Sequence, residues 1–167
     1  AQQSLADLIG VEDENCIVFG ANMTSLTLSL SRALSKEWQP GDEIIVTDLD
    51  HDANITPWTL AAKDAGATIH HIGIHNEDCT LNLDDLSERL TPRTKLVAVA
   101  AASNGTGTVN PIKEITSRAH QVGARVFVDA VHFAPHRLMH FDMWDIDFLA
   151  CSTYKFFGPH LGVLCGK

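Results

Sequence analysis

The 167-residue sequence has only four cysteines and no CxxC spacing among them. Cys16, Cys79, Cys151 and Cys165 lie far apart, and three of them sit in or beside apolar stretches. This pattern excludes a disulfide scaffold. It suits four free thiols in a reducing compartment, so a cytoplasmic location is expected. Positive charge is also scarce. Twelve Lys and Arg stand against 21 Asp and Glu, for a formal net charge of -9. A broad nucleic-acid surface is thereby excluded, because it needs a basic face. One local phosphate site remains open, since backbone amides hold phosphate without net charge. No apolar run approaches the length of a membrane span, and the N-terminus lacks the charged-then-apolar pattern of a signal peptide. Internal repeats, linkers and low-complexity tracts are missing too. There is no initiator Met, and Lys167 follows directly on an apolar run. The sequence is therefore expected to be an excised piece of a longer chain, one domain over residues 1–167.

What is present is an ordinary globular composition, 45% hydrophobic and 20% charged, in a chain long enough to bury a core. Short β-branched, apolar runs alternate with helical segments. The strands are predicted at Cys16–Phe19, Glu43–Thr47, Thr68–Ile72, Lys95–Ala101, Arg125–Asp129, Asp147–Cys151 and Gly162–Cys165. Runs such as "LVAVAAA" and "VFV" are apolar on consecutive residues, as strands covered on both faces must be. Helices are predicted for "AQQSLADLIG", for Thr56–Ala65 with Pro57 in its first turn, for "LNLDDLSERL" with Asn82 as N-cap, and for "PIKEITSRAHQVG". In "TSLTLSLSRAL", Leu26, Leu28 and Leu30 recur with period two, which reads as strand. The length of the segment, the preceding Gly-Ala-Asn turn and the spacing of Leu30, Ala33 and Leu34 favour a helix over Met23–Lys36. Alternation of this kind predicts an α/β fold of three layers, a mainly parallel seven-stranded sheet with helices on both faces.

Ligands of such sheets sit beyond the carboxyl ends of the strands. Five places qualify: the Gly20–Thr24 turn, the loop with His51, the loop with Asn104, the stretch Asp129–His132, and Ser152–Lys155. Singly, each has an ordinary explanation. Lys155 at the end of a buried run reads as a lysine snorkelling to water, because burying an unpaired ammonium is costly. It reads equally as an amine held there to do chemistry. Asp129 reads as a turn cap or a ligand-facing carboxylate, Asn104 before Gly as a turn former, and His51 as a solvated loop residue. His132 fits a ring satisfied by a neighbouring carbonyl, and His136 fits a structural role. His70, His71 and His75 tempt a metal reading, but adjacent strand residues face opposite sides, so they read as structural or exposed.

Taken in order and spacing, "FGANMTSL", "DLDHDANITPW", "SNGTGTVNPI", "VDAVHFAPH" and "CSTYKFFGPHLGVLCGK" resemble the class V aminotransferases. These are fold-type-I enzymes that use pyridoxal 5'-phosphate (PLP), and the resemblance is nearest to the cysteine desulfurase and selenocysteine lyase group. It extends over essentially the whole chain and implies the fold of a PLP-dependent transferase large domain, with an antiparallel last strand, and a role for each place. Lys155 would form the Schiff base with the cofactor aldehyde, and Asp129 would pair with the protonated pyridine nitrogen. His132 stands where many desulfurases have Gln and would contact the phenolic oxygen of PLP. His51 would stack on the ring and take part in proton transfer as a catalytic residue. Asp52 follows it where typical members have a second His, a departure that leaves the stack intact. Asn104 would approach the phenolic oxygen and the substrate carboxylate. The phosphate would lie on Ser152, on Tyr154 (in place of the usual His) and on the amides of Asn22 and Met23. With Ala21, those two residues replace the family's Gly-Thr-Thr, so one hydroxyl donor is lost.

The resemblance implies an amino-acid substrate, a homodimer and, for a desulfurase, a protein that accepts sulfur. The persulfide-forming cysteine and the carboxylate-binding arginine of desulfurases fall beyond Lys167, along with the small domain. The reaction that the resemblance favours is conversion of L-cysteine to L-alanine. Aminotransferase, epimerase and kynureninase-like chemistry on the same platform stay open, as does a non-catalytic scaffold.

Overall fold

The computed structural model describes residues 1–167. Period-two burial on both faces organises it. Ile45, Val97, Val99, Val126, Val128, Leu149 and Cys151 point into one core, and Ile44, Val46, Leu96, Ala98, Phe127 and Ala150 into the other. Strands with both faces covered belong in the middle of a layered α/β fold. In chain order the elements are α1 (Gln2–Ile9), β1 (Ile17–Gly20), α2 (Met23–Leu34), β2 (Glu43–Thr47), α3 (Thr56–Ala65), β3 (Thr68–Ile72), α4 (Leu83–Arg89), β4 (Thr94–Ala100), α5 (Ile112–Gln121), β5 (Arg125–Asp129), α6 (Phe141–Trp144), β6 (Phe148–Ser152) and β7 (Gly162–Gly166). The sheet runs β1-β7-β6-β5-β4-β2-β3. Strands β2 to β6 are parallel, and β7 is antiparallel to both β6 and β1. The carboxyl end of β1 therefore lies at the same edge as those of β2 to β6. No helix is long and apolar enough to cross a membrane.

The fold matches the expected three-layer architecture, antiparallel last strand included. Strand boundaries move by one residue at β1, β4, β6 and β7. The short α6 was not foreseen, because four residues, "FDMW", carry no periodicity to read. The ambiguous leucine segment is helix, with Met23, Leu26, Thr27, Ser31 and Leu34 as its buried stripe. Two members of the stripe are polar, which hid it. Their hydroxyls bond back to the carbonyls of Met23 and Leu28, so they are buried without an unmet donor.

Helices start where side chains accept the free amides of the first turn. Asn82 takes the amides of Asp84 and Asp85 at the start of α4. Asn82→Ala is expected to destabilise the chain by about 1 kcal/mol, measured as a fall in the urea midpoint at unchanged slope.

Candidate active site

The sheet order reverses between β2 and β4: β2 and β3 lead outward on one side, while β4, β5 and β6 lead away on the other. A crevice opens at the carboxyl ends of strands at such a switch. Here it is a cavity of about 300 Å³, lined among others by Met23, Thr24, His51, Asn104, Asp129, His132, Ser152, Tyr154 and Lys155. The structure thus brings together eight of the nine residues singled out in the sequence. The ninth, Asn22, lies directly behind the wall as the N-cap of α2, with its side chain on the Ser25 amide.

The floor of the cavity is Asp129, the last residue of β5, which is 6% exposed. Its Oδ1 accepts the Val131 amide at 2.8 Å, and the protein offers Oδ2 no donor. Burial pushes the carboxyl up to about 6, and the Val131 amide and the nearby His51 act against that rise. His51 is fixed from its other side. Its Nδ1 accepts the Ala53 amide at 3.0 Å, so the neutral ring carries its proton on Nε2. Asp52, in place of a second histidine, accepts the Thr56 hydroxyl at the head of α3.

One wall is the N-terminus of α2, drawn close to the sheet by two glycines. A Cβ on Gly162 would stand 2.3 Å from the Asn22 carbonyl carbon, and one on Gly20 would stand 2.7 Å from the Leu26 side chain. This close approach lets the Ser152 hydroxyl accept the Met23 amide at 3.0 Å. The Met23 amide is engaged with the protein, and the Ser152 proton is left to donate into the cavity. The Thr24 amide is among the free N–H groups of the helix start, and its side chain is exposed to the cavity. Sequence reading placed Thr24 in a candidate turn and gave it no role. Its signal was available in the first helical turn after Gly-Ala-Asn, where it restores the hydroxyl that Ala21, Asn22 and Met23 lack. Tyr154 closes this side, stacked on His160 with ring centroids 4.3 Å apart.

Lys155 lies in the 3-10 turn Thr153–Phe156 that follows β6, and it is exposed at the cavity mouth. Lys95 and Lys167 pair with Asp42 and Asp145, but Lys155 has no carboxylate partner. His132 lines the cavity and meets His136 edge to face at 5.7 Å. Asn104 reaches it from the turn between the Ala102–Val109 bridge residues. His70, His71 and His75 do not gather around a metal site, and His71 pairs with Asp48 at the surface. Cys151 and Cys165 are buried, and burial pushes both thiols up to about 12.

The sequence model of the family described as Aminotransferase class-V matches residues 1–167. The chain belongs to this family. Among curated relatives it is 41% identical over 128 residues to a probable cysteine desulfurase of Halalkalibacterium halodurans, covering 76% of this chain and 31% of that protein. Among solved structures it resembles the cysteine desulfurase CsdA of Escherichia coli, with a TM-score of 0.95 and 33% identity over 99% of this chain and 42% of that one. It also resembles a C-DES K223A mutant with glycine covalently linked to the PLP cofactor, with a TM-score of 0.85 and 27% identity over 99% of this chain and 44% of that one. The chain spans about a third of the length of the curated relative.

The donor chemistry of the lining fits a phosphorylated pyridine. A helix start, two hydroxyls and a tyrosine stand at one end of the cavity, a buried carboxylate with an unused oxygen at its floor, and an unpaired amine at its mouth.

Proposed function

We propose that this chain is the cofactor-binding large domain of a PLP-dependent enzyme that acts on an amino acid, most nearly a cysteine desulfurase. One observation carries the reading: the unpaired Lys155 amine and the half-satisfied Asp129 carboxylate share a cavity whose third side is a helix start. PLP, when bound, supplies an aldehyde that captures amines and a ring that withdraws electrons from the substrate α-carbon.

The chain's own residues do the rest. Thr24, Ser152 and Tyr154 bind the phosphate, with Asn22 holding the helix start in place. Asp129 Oδ2 would accept from the pyridine nitrogen and hold its proton there, His51 would lie against the ring, and His132, with Asn104, would donate to the phenolic oxygen. The Lys155 amine is the nucleophile. The same amine, in its neutral form, would also serve as a base toward the substrate.

The cavity lining holds neither cysteine nor arginine. The sulfur-accepting thiol and the group that binds the substrate carboxylate would therefore come from outside residues 1–167, together with a small domain and a second copy in a homodimer. A sulfur-acceptor protein and a cytoplasmic location belong to the same proposal. Incubation with PLP, borohydride reduction and peptide mass mapping test it. The phosphopyridoxyl mass is expected on the peptide carrying Lys155. Its appearance on another lysine, or on none, would reject the reading.

A further inference from the structure

Asp50 has no part in the mechanism above, although it stands next to His51 and its carboxyl is tied on both oxygens. Oδ2 bonds the hydroxyl of Thr47 at the end of β2, and Oδ1 accepts the side-chain amide of Asn54 at 2.6 Å. Thr47 and Asn54 are 1% and 0% exposed. Asn54 donates its backbone amide to the His51 carbonyl at 2.8 Å and accepts the Trp58 indole at 2.9 Å. Trp58 packs edge to face on Phe127, two residues before Asp129, at 5.0 Å. A continuous buried path thus runs from the His51 turn to the strand that carries the floor of the cavity.

We propose that Asp50 is a positioning residue of this site: it locks the turn carrying His51 by joining Thr47 to Asn54, and its charge couples that turn to Asp129. Burial and the negative charge of Asp129, at the end of β5, raise the Asp50 carboxyl to about 7, against the Thr47 and Asn54 bonds and the Ala100 backbone. Of the other charged groups nearby, His51 is its chain neighbour, while Asp48 turns to solvent with His71. Two carboxyls in one desolvated region do not ionise independently. Near neutral pH, with the cavity free of cofactor, the second charge goes onto Asp50 only against that of Asp129.

The inference rests on Asp129 and His51 being site residues. Its test uses no cofactor, so its failure is separable from failure of the PLP reading. In nuclear magnetic resonance spectra, the Asn54 side-chain amide reports on Asp50. In the wild-type chain its shift is expected to titrate with a midpoint near 7, and Asp129→Asn is expected to lower that midpoint. Absence of titration between about pH 5 and 9, or a midpoint unmoved by Asp129→Asn, overturns the coupling. Hydrogen exchange tests the positioning. Asp50→Asn keeps the Asn54 bond through Oδ1 and meets the Thr47 oxygen with its amide as the donor, whereas Asp50→Ala removes both contacts. The Ala53 amide, which His51 Nδ1 accepts, is expected to exchange on the order of ten-fold faster in Asp50→Ala than in Asp50→Asn, with the amides of Ile45 and Val128 still protected. Equal Ala53 rates, or loss of protection across β2 and β5 as well, would overturn it.

Discussion

Lys155→Ala is expected to remove the visible absorption band that forms when PLP is added to the wild-type chain, and to remove it completely. The side chain is exposed and unpaired, and it sits in a 3-10 turn closed by Phe157 at φ 67° and by Gly158, where a Cβ would meet Thr153 at 2.8 Å. The backbone therefore sets where the lysine emerges, and the side chain adds nothing to the core. Its truncation is expected to change stability by less than about 0.5 kcal/mol. A lost band thus reports lost chemistry, provided that chemical denaturation gives the same midpoint for both proteins. Weak reversible binding is expected to survive in Lys155→Ala, because Thr24, Ser152 and Asp129 are untouched, and it would appear as quenching of tryptophan fluorescence without the band. Lys155→Arg should lose the band as well, since a guanidinium always carries its proton and is no nucleophile. A persisting band in either variant would move the reactive amine to another lysine.

Lys155 also shows what the sequence could and could not reveal. By position alone, an ammonium at the end of "DIDFLAC" is explained by snorkelling, and the structure does show it reaching solvent. What sets it apart is the company it keeps. That company was legible, because parallel strands must end at one edge, and the polar residues after β2, β4, β5 and β6 were visible as loops following apolar runs. The rest was hidden for identifiable reasons. The buried stripe of α2 contains Thr27 and Ser31, whose hydroxyls are satisfied by their own helix, so a hydrophobic pattern understates it. Thr24 depends on where the helix begins, and helix ends are the least readable feature of a sequence. The engagement of the Met23 amide by Ser152 joins residues 129 positions apart, and no local pattern encodes it. Asp50 looked like one more acid in "DLDHD". Only the Thr47 and Asn54 contacts distinguish it from Asp48, which lies on the surface.

Asp129→Asn is expected to stabilise the cofactor-free chain at pH 8 by up to about 3 kcal/mol while weakening PLP capture at least ten-fold. The sign follows from the carboxyl's displacement to about 6 from an ordinary 3.8. Between those values the folded chain binds more protons than the unfolded chain. Its favourable share is therefore complete below about pH 4 and is lost as pH rises through 6. Asp50, raised to about 7, acts in the same direction. Glu43, Asp78, Asp85 and Asp145 are held below their ordinary values by hydrogen bonds and cationic neighbours. Their contributions are lost only on acidification, so they shape the limb below about pH 4. Cofactor-free wild-type protein should therefore be most stable near about pH 5 and weaker at pH 8, and Asp129→Asn should flatten that decline. Urea denaturation at both pH values gives the difference directly, and identical pH slopes for wild type and variant would sink the prediction. The asparagine can still accept the Val131 amide through Oδ1, so packing is preserved and only the charge is removed. The same change takes away the acceptor that would hold a protonated ring nitrogen, and PLP affinity measured by absorbance titration should fall. A residue expected to cost the empty fold stability, and to recover it when a cation lies against Oδ2, is what the proposed cofactor site calls for.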